Sequence, residues 1–257
     1  MNNLVQVDII TIVRNSANSI INTLDSISNQ GYSQINHIII DGNSQDCTVD
    51  IINRYHHSKK NRLFQQNGIG IANAFNEGLS QSSGDLVIFL NSGDTFFDKS
   101  VVAKIVDSYV EIEWDWAFGE TISVSKHRLL KRHIKQYSHW NQRLFLYNNP
   151  ICHQSTIFSR GFIEQVGSYN ENLSIGMDYD FNIRAALIAK PYLLYFPISY
   201  YDTTGVSSIK VFKGYQSHIE LRAKYFPSPN INSFFTDFIC LLKAFTRLTM
   251  IPAKLLM

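Results

Sequence analysis

This sequence predicts an α/β fold, a mostly parallel sheet with helices on both faces. Three observations lead there. Short apolar runs alternate with helix-period runs through the first hundred residues, the interval of βαβ units. Acidic and glycine-bearing turns follow the second and fourth of the apolar runs, where such a sheet presents its ligand-binding edge. No repeat or low-complexity linker divides the chain, so one large domain or two intimate ones are expected for 257 residues.

The elements follow in order. Residues 5–13 are β-rich, and residues 17–29 carry Ile20, Ile21, Leu24 and Ile27 at helical spacing. Residues 37–40 form a short buried-strand run ending at Asp41, after which Ser44 or Asp46 can cap a helix through Val49, Ile51, Ile52 and Tyr55. Leu63-Phe64 is a weaker strand, followed by a helix through Ile71, Ala74, Phe75 and Leu79. Residues 86–90 are the fourth strand, and Asp98 suits the N-cap of a helix over 100–110. The second half is less regular. Residues 114–124 and 129–134 read as strands, a hairpin around Lys126-His127, and residues 155–158 as another strand. A helix over 179–189 ends before Pro191, a strand covers 192–196, and a helix covers 211–225.

Composition excludes several classes. The chain is 45% hydrophobic and 17% charged, too apolar for wholesale disorder. A net charge of +2 argues against a dedicated nucleic-acid binder, whose affinity rests on many phosphate-pairing cations. Cys47, Cys152 and Cys240 are too scattered for a zinc knuckle or a disulfide framework. The start of the chain reads as a strand rather than a signal peptide, and no run reaches the ~18–20 apolar residues of a membrane span. A cytoplasmic protein is expected.

Two surfaces stand out. Between Thr121 and Ile163 there is no acid, yet Lys126, Arg128, Lys131, Arg132, Lys135, Arg143 and Arg160 fall there. That is a solvated strand face, a phosphate-bearing acceptor site or an anionic-membrane contact. In residues 234–257, Phe234, Phe238, Leu241, Phe245 and Leu248 share a helical face opposite Lys243 and Arg247. The wide apolar arc and basic polar side favour a helix lying in the lipid interface over one packed on the domain.

Chemistry concentrates in three acidic clusters. Asp41 opens Asp41-Gly42-Asn43-Ser44-Gln45-Asp46-Cys47-Thr48, and Asp94 closes Phe89-Leu90-Asn91-Ser92-Gly93-Asp94. A carboxylate just beyond a strand can accept hydrogen bonds from a base or ribose, or hold a hard divalent cation. Either motif alone is ordinary turn chemistry; their joint occurrence along one sheet edge points to a site. The third cluster, Met177-Asp178-Tyr179-Asp180-Phe181, opens a helix, where Asp178 is a cap or a rigidly held base. His153-Gln154 lies upstream and can meet an acceptor, a diphosphate or nothing. A dinucleotide-binding fold is disfavoured, because Arg14-Asn15-Ser16-Ala17 after the first strand has no glycine; a Walker-type loop is absent.

Together these strings resemble the family 2 glycosyltransferases. Thr11-Ile12-Val13-Arg14-Asn15, the Asp41–Thr48 string, Ala74-Phe75-Asn76-Glu77-Gly78, Gly84-Asp85, the Phe89–Asp94 string, Cys152-His153-Gln154-Ser155 and Met177-Asp178-Tyr179-Asp180-Phe181-Asn182-Ile183-Arg184 occur in family order over residues 4–200. The closest likeness is to the bacterial branch building colanic acid, O-antigen and capsule units. The resemblance implies a GT-A fold: residues 1–230 as one domain, with 1–98 binding the nucleotide-sugar and 99–230 the acceptor, and 231–257 as an amphipathic tail. It implies inverting transfer of a hexosyl or N-acetylhexosaminyl unit from a UDP-sugar to a hydroxyl of a lipid-linked oligosaccharide, peripherally on the inner face of the cytoplasmic membrane. Asp41 would contact the base, uracil, with Thr11, Val13, Arg14, Asn43, Asn91 and Ser92 lining the nucleotide pocket. Asp94 would hold Mn²⁺ or Mg²⁺, Asp178 would be the base, and His153, Gln154 and Asp180 would meet acceptor or diphosphate. Asn91 and Gly93 stand where many relatives have aspartates, and Gln65-Gln66-Asn67-Gly68 replaces an acidic run, so the metal site depends heavily on Asp94. The alternatives are a non-catalytic nucleotide-sugar binder, which would lack metal-dependent turnover, and a membrane scaffold, which would lack nucleotide binding.

Overall fold

The computed structural model describes residues 4–55, 61–124, 131–134, 140–147, 149–202 and 211–227. The first half alternates as predicted: β1 (Val7–Val13), α1 (Ile20–Ser28), β2 (Ile35–Asp41), α2 (Thr48–Tyr55), β3 (Asn61–Gln65), α3 (Ile71–Gln81) and β4 (Leu86–Phe89). After them come β5 (Thr95–Phe96), α4 (Val101–Ile112), β6 (Trp116–Val124), β7 (Lys131–Ile134), β8 (Thr156–Ser159), α5 (Arg160–Val166), α6 (Met177–Ile188), β9 (Tyr192–Asp202) and α7 (Val211–Tyr225).

Among the described residues these strands make one nine-stranded mixed sheet in the order β3-β2-β1-β4-β8-β6-β9-β5, with β7 paired to β6. The first four are parallel, and the β1–β2 register sets Val13 opposite Asp41. β8 then runs antiparallel to β4, which places its start beside the carboxyl end of β4. That inversion brings residues from opposite halves of the chain to one edge.

Burial on both faces explains why the strands are continuous apolar runs. Successive residues point to opposite sides: Ile10, Ile38 and Ile40 join Phe75, Phe158 and Phe181 in one core, while Ile9, Ile88 and Ile157 join Val101, Val102 and Ile105 in the other. A third, smaller cluster packs Ile20, Leu24 and Ile52 on Val13 and Ile39. Each fully buried aliphatic chain contributes about 1.5–3 kcal/mol. Gly78 lets α3 approach β1, because a Cβ there would lie 2.4 Å from Ile10 Cγ2. α6 has no exposed stripe of its own: Met177, Tyr179, Phe181, Ile183, Ala185 and Ala186 are all buried, so it behaves as a central helix.

Several boundaries differ from the sequence expectations. The N-cap of α4 is Ser100, while Asp98 instead accepts the Ser100 amide and hydroxyl at 2.7 and 2.6 Å. β9 continues past Pro197, which falls where the β6–β9 register slips, a place where a missing N–H costs no ladder bond. β5 and α5 went unforeseen, being too short to carry a periodicity. The hairpin is present as the antiparallel β6–β7 pair. Of the basic stretch, Lys126, Arg128 and Lys135 and the whole 234–257 tail lie outside the described residues. Arg160 does not belong to a cationic surface. Its guanidinium donates to Ser82 Oγ (2.6 Å) and Gly84 O, 3.9 Å from the buried Asp8 carboxylate.

Candidate active site

The carboxyl ends of β1 and β2 are joined by a mesh of side-chain hydrogen bonds. Asp41, 5% exposed, accepts the Ser44 amide (3.0 Å) and hydroxyl (2.5 Å). Ser44 Oγ in turn accepts the Asn15 amide, and Asn15 Oδ1 accepts the Gln45 amide. Asn15 and Asn43 take left-handed φ values of 49° and 61°, which asparagine tolerates better than other side chains. Gly42 donates to Val13 O at 2.8 Å, so the loop lies close on the end of β1. Asp46 caps α2, accepting Thr48 and Ala17 amides; the Thr48 hydroxyl bond holds its pKa below the usual carboxylate value. Arg14 and Asn43 are exposed on this rim, Asn43 Oδ1 accepting Gln65 Nε2.

Thr11 sits differently from the expectation for it. It is wholly buried, its hydroxyl donating to Leu90 O (2.7 Å) and lying 2.8 Å from His37 Nε2. Its side chain therefore binds β1 to the end of β4.

After β4 the chain turns through Asn91-Ser92-Gly93-Asp94. Gly93 has φ +98°, and the Asp94 amide donates to Asn91 O. Thr23 of α1 clamps the turn, accepting from the Gly93 amide (3.0 Å) and donating to Asp94 O (2.8 Å). Asp94 is 3% exposed, and in the same turn Asn91 Oδ1 is a buried oxygen with no hydrogen-bond partner. Ser92 Oγ lies 3.4 Å from Ser19 Oγ. No group of three or more His, Cys, Asp or Glu among the described residues could hold a metal. One carboxylate and a nearby amide oxygen fit a hard cation that keeps phosphate and water ligands, as Mg²⁺ and Mn²⁺ do, and not an all-protein cage.

The third group arrives on α6. Asp178 is in its first turn, half-buried, and accepts Asn149 Nδ2 at 3.1 Å. Desolvation raises its pKa, opposed by the backbone N–H groups of Tyr179 and Asp178 and by the Asn149 amide. Between Asp178 and the β4 turn lies the segment feeding β8. Its Cys152 thiol is pushed up to about 12, mainly by burial, and both Asp94 and Asp178 add to the rise. The same segment meets Asp178 through Asn149 and the end of β4 through His153.

His153 stacks on Phe89 with 5.0 Å between ring centroids and is 7% exposed. Burial lowers its pKa to about 4, so it is neutral at pH 7 and offers no charge to a diphosphate. Gln154 Oε1 accepts the Cys152 thiol. Asp180 is a packing anchor. It is 1% exposed, paired with Arg184 (2.9 Å) on its own helix and accepting Tyr225 Oη (2.7 Å) from α7. Two carboxylates of one helical turn thus part company: Asp178 meets Asn149, and Asp180 meets α7. Asn149 escaped the sequence reading, since an asparagine before proline looks like turn chemistry; only its place against Asp178 reveals it. A groove of about 370 Å³ opens elsewhere, between Trp140–Gln142 and Ala186–Lys190 at the far end of α6 from Asp178.

The model of Glycosyl transferase family 2 matches residues 8–166. A glycosyltransferase of Mycobacterium tuberculosis described as uncharacterized is 30% identical over 207 residues, spanning 79% of this chain and 77% of that protein. A PGL/p-HBAD biosynthesis glycosyltransferase of Mycobacterium bovis is 26% identical over 208 residues, 78% of each. Among solved structures, TarS 1–349 of S. aureus in complex with UDP-GlcNAc superposes with a TM-score of 0.68 at 17% identity, over 94% of this chain and 72% of that one. A mannosyltransferase of Pyrobaculum calidifontis in complex with GDP-Man and Mn²⁺ gives 0.65 at 16% identity, over 96% and 75%. These two likenesses establish the fold.

Proposed function

This chain belongs to glycosyl transferase family 2, and we propose that it is an inverting sugar transferase in which Asp178 is the base and Asp94 the metal-side carboxylate. The observation supporting the proposal is that one short segment meets both places: Asn149 Nδ2 donates to Asp178 at 3.1 Å, and His153 stacks on Phe89 in the last position of β4, the strand that leads into the Asp94 turn. Residues 1–98 would bind the donor, with Asp41 meeting the base and the Val13, Arg14, Asn43 and Ser92 edge lining it. Residues 99–230 would present the acceptor.

The step balances without a covalent intermediate. The acceptor hydroxyl gives its proton to Asp178 while its oxygen attacks the anomeric carbon from the face opposite the diphosphate. The bond from that carbon to the phosphate oxygen breaks, and its electron pair leaves with the diphosphate. Mg²⁺ or Mn²⁺ at Asp94, with Asn91 Oδ1 close by, would supply neutralisation of that charge. Desolvation of Asp178 suits its task, because a base with a raised pKa accepts a proton more readily.

The donor is a nucleoside diphosphate sugar; a UDP-sugar is the reading for this chain. The acceptor proposed is a lipid-linked glycan of a bacterial surface polysaccharide or glycolipid. The pathway printed for one relative, PGL/p-HBAD biosynthesis, widens that beyond colanic acid or O-antigen. A thermal-shift and donor-hydrolysis panel of UDP- and GDP-sugars, with and without Mn²⁺, tests the donor: no shift with any of them overturns it. Asp178→Asn should keep donor binding and lose about 10²–10⁴-fold in turnover. Near-normal turnover in that folded variant would remove Asp178 from the role.

A further inference from the structure

We propose that Asn149 is the positioning residue for the base, holding the Asp178 carboxylate through a hydrogen bond whose direction the backbone of its own loop dictates. The inference rests on the role given to Asp178 above and adds to it how that carboxylate is held.

Asn149 Nδ2 donates to Asp178 Oδ2 at 3.1 Å, while Asn149 Oδ1 accepts the Ile151 amide at 3.3 Å. The second bond orients the first. A flipped amide would set Nδ2 against the Ile151 N–H, donor to donor, and Oδ1 against a carboxylate, losing both contacts. The loop is itself anchored: Ile151 is 2% exposed in the core, and the turn 153–155 starts β8. An asparagine that cannot turn over thus fixes one carboxylate oxygen, while the backbone N–H groups of Asp178 and Tyr179 in the first turn of α6 also favour its charged form. Two titratable groups that sense Asp178 stay neutral at pH 7. Burial drives both the Cys152 thiol and the Tyr169 phenol upward, Cys152 also feeling Asp94 and Tyr169 also feeling Arg184. Asn149 is therefore the side chain that favours the ionised base without bringing a charge.

The test compares Asn149→Ala and Asn149→Asp with the wild type. Asp is isosteric with Asn and keeps the acceptor for Ile151, but it replaces the donor with a second carboxylate, and two adjoining carboxylates resist ionising together. Both variants should bind nucleotide sugar with an unchanged Kd, which reports an intact fold. Turnover near neutral pH should fall about 10- to 100-fold in Asn149→Ala, the worth of a hydrogen bond to a charged group, and further in Asn149→Asp. The acidic limb of the rate profile should move to higher pH in both, with activity recovering as pH rises. A uniform fall with the limb unmoved would overturn the proposal. Carbon-13 NMR titration of the Asp178 carboxyl, assigned with Asp178→Asn, reads the same contact without any turnover. An upward pKa in Asn149→Ala supports the positioning role even if no sugar transfer is found, which would sink only the role of Asp178. An unchanged titration overturns the positioning role whatever the activity.

Discussion

His153 and His218, whose pKa values are lowered, weigh on the acid side of the stability curve. His153 lies among Phe75, Phe89 and Tyr169, and His218 of α7 stacks on Tyr179 at 4.2 Å. Burial lowers each pKa to about 4. In the unfolded chain they titrate near 6.5, so between about pH 6.5 and 4 the unfolded state binds more protons and stability falls as pH drops. Each contributes on the order of 3 kcal/mol over that window. Asp178 works the other way, since its raised folded pKa means the native state holds the proton longer. The histidines outnumber it and their window reaches nearer neutrality. Thermal melting from pH 7 to pH 4 should therefore show a steady loss, and His218→Gln should flatten the slope. An unaltered slope would mean that His218 is not the group taking up the proton.

At the scale of elements, α6 is set by what surrounds it. Its first turn presents Asp178 to Asn149 and Asp180 to α7, and α7 also donates Arg222 Nη1 to Leu146 O at 2.9 Å. Close packing at Gly176, where Ser217 Cβ would be 3.3 Å from an added Cβ, seats α7 against the start of α6. Asp180→Ala would take one acceptor from Arg184, which keeps Val166 O and Ser168 O, and one from the Tyr225 hydroxyl, and losing a hydrogen bond to a charged group costs about 1.5–3 kcal/mol. Urea unfolding should report that loss, and donor affinity in the folded fraction should be unchanged. A loss of donor binding with full stability would return Asp180 to the site.

For the whole molecule, no helix among the described residues is long and apolar enough to cross a membrane. We propose that residues 231–257 carry any membrane contact, since Phe234, Phe238, Leu241, Phe245 and Leu248 recur at helical spacing with Lys243 and Arg247 opposite. Deleting residues 231–257 should move the protein from the membrane fraction to the supernatant on flotation; an unchanged distribution rules the anchor out.

The local half of this architecture was legible because burial on both faces writes itself into the chain as apolar runs, and caps and turns need particular residue types at particular places. Asp41, Asp94 and Asp178 could be singled out for that reason: each sits where a strand or helix must begin or end. The sequence by itself determined the βαβ order, the family motifs and the three acidic positions. Tertiary structure alone decided that β8 inverts beside β4, sets Asn149 against Asp178 and stacks His153 on Phe89. It also turned Thr11 and Asp180 inward, onto Leu90 and Arg184. Sidedness of that kind depends on which neighbour fills the space beside a residue, and strand pairing across a long chain separation leaves no period in the sequence from which to read it.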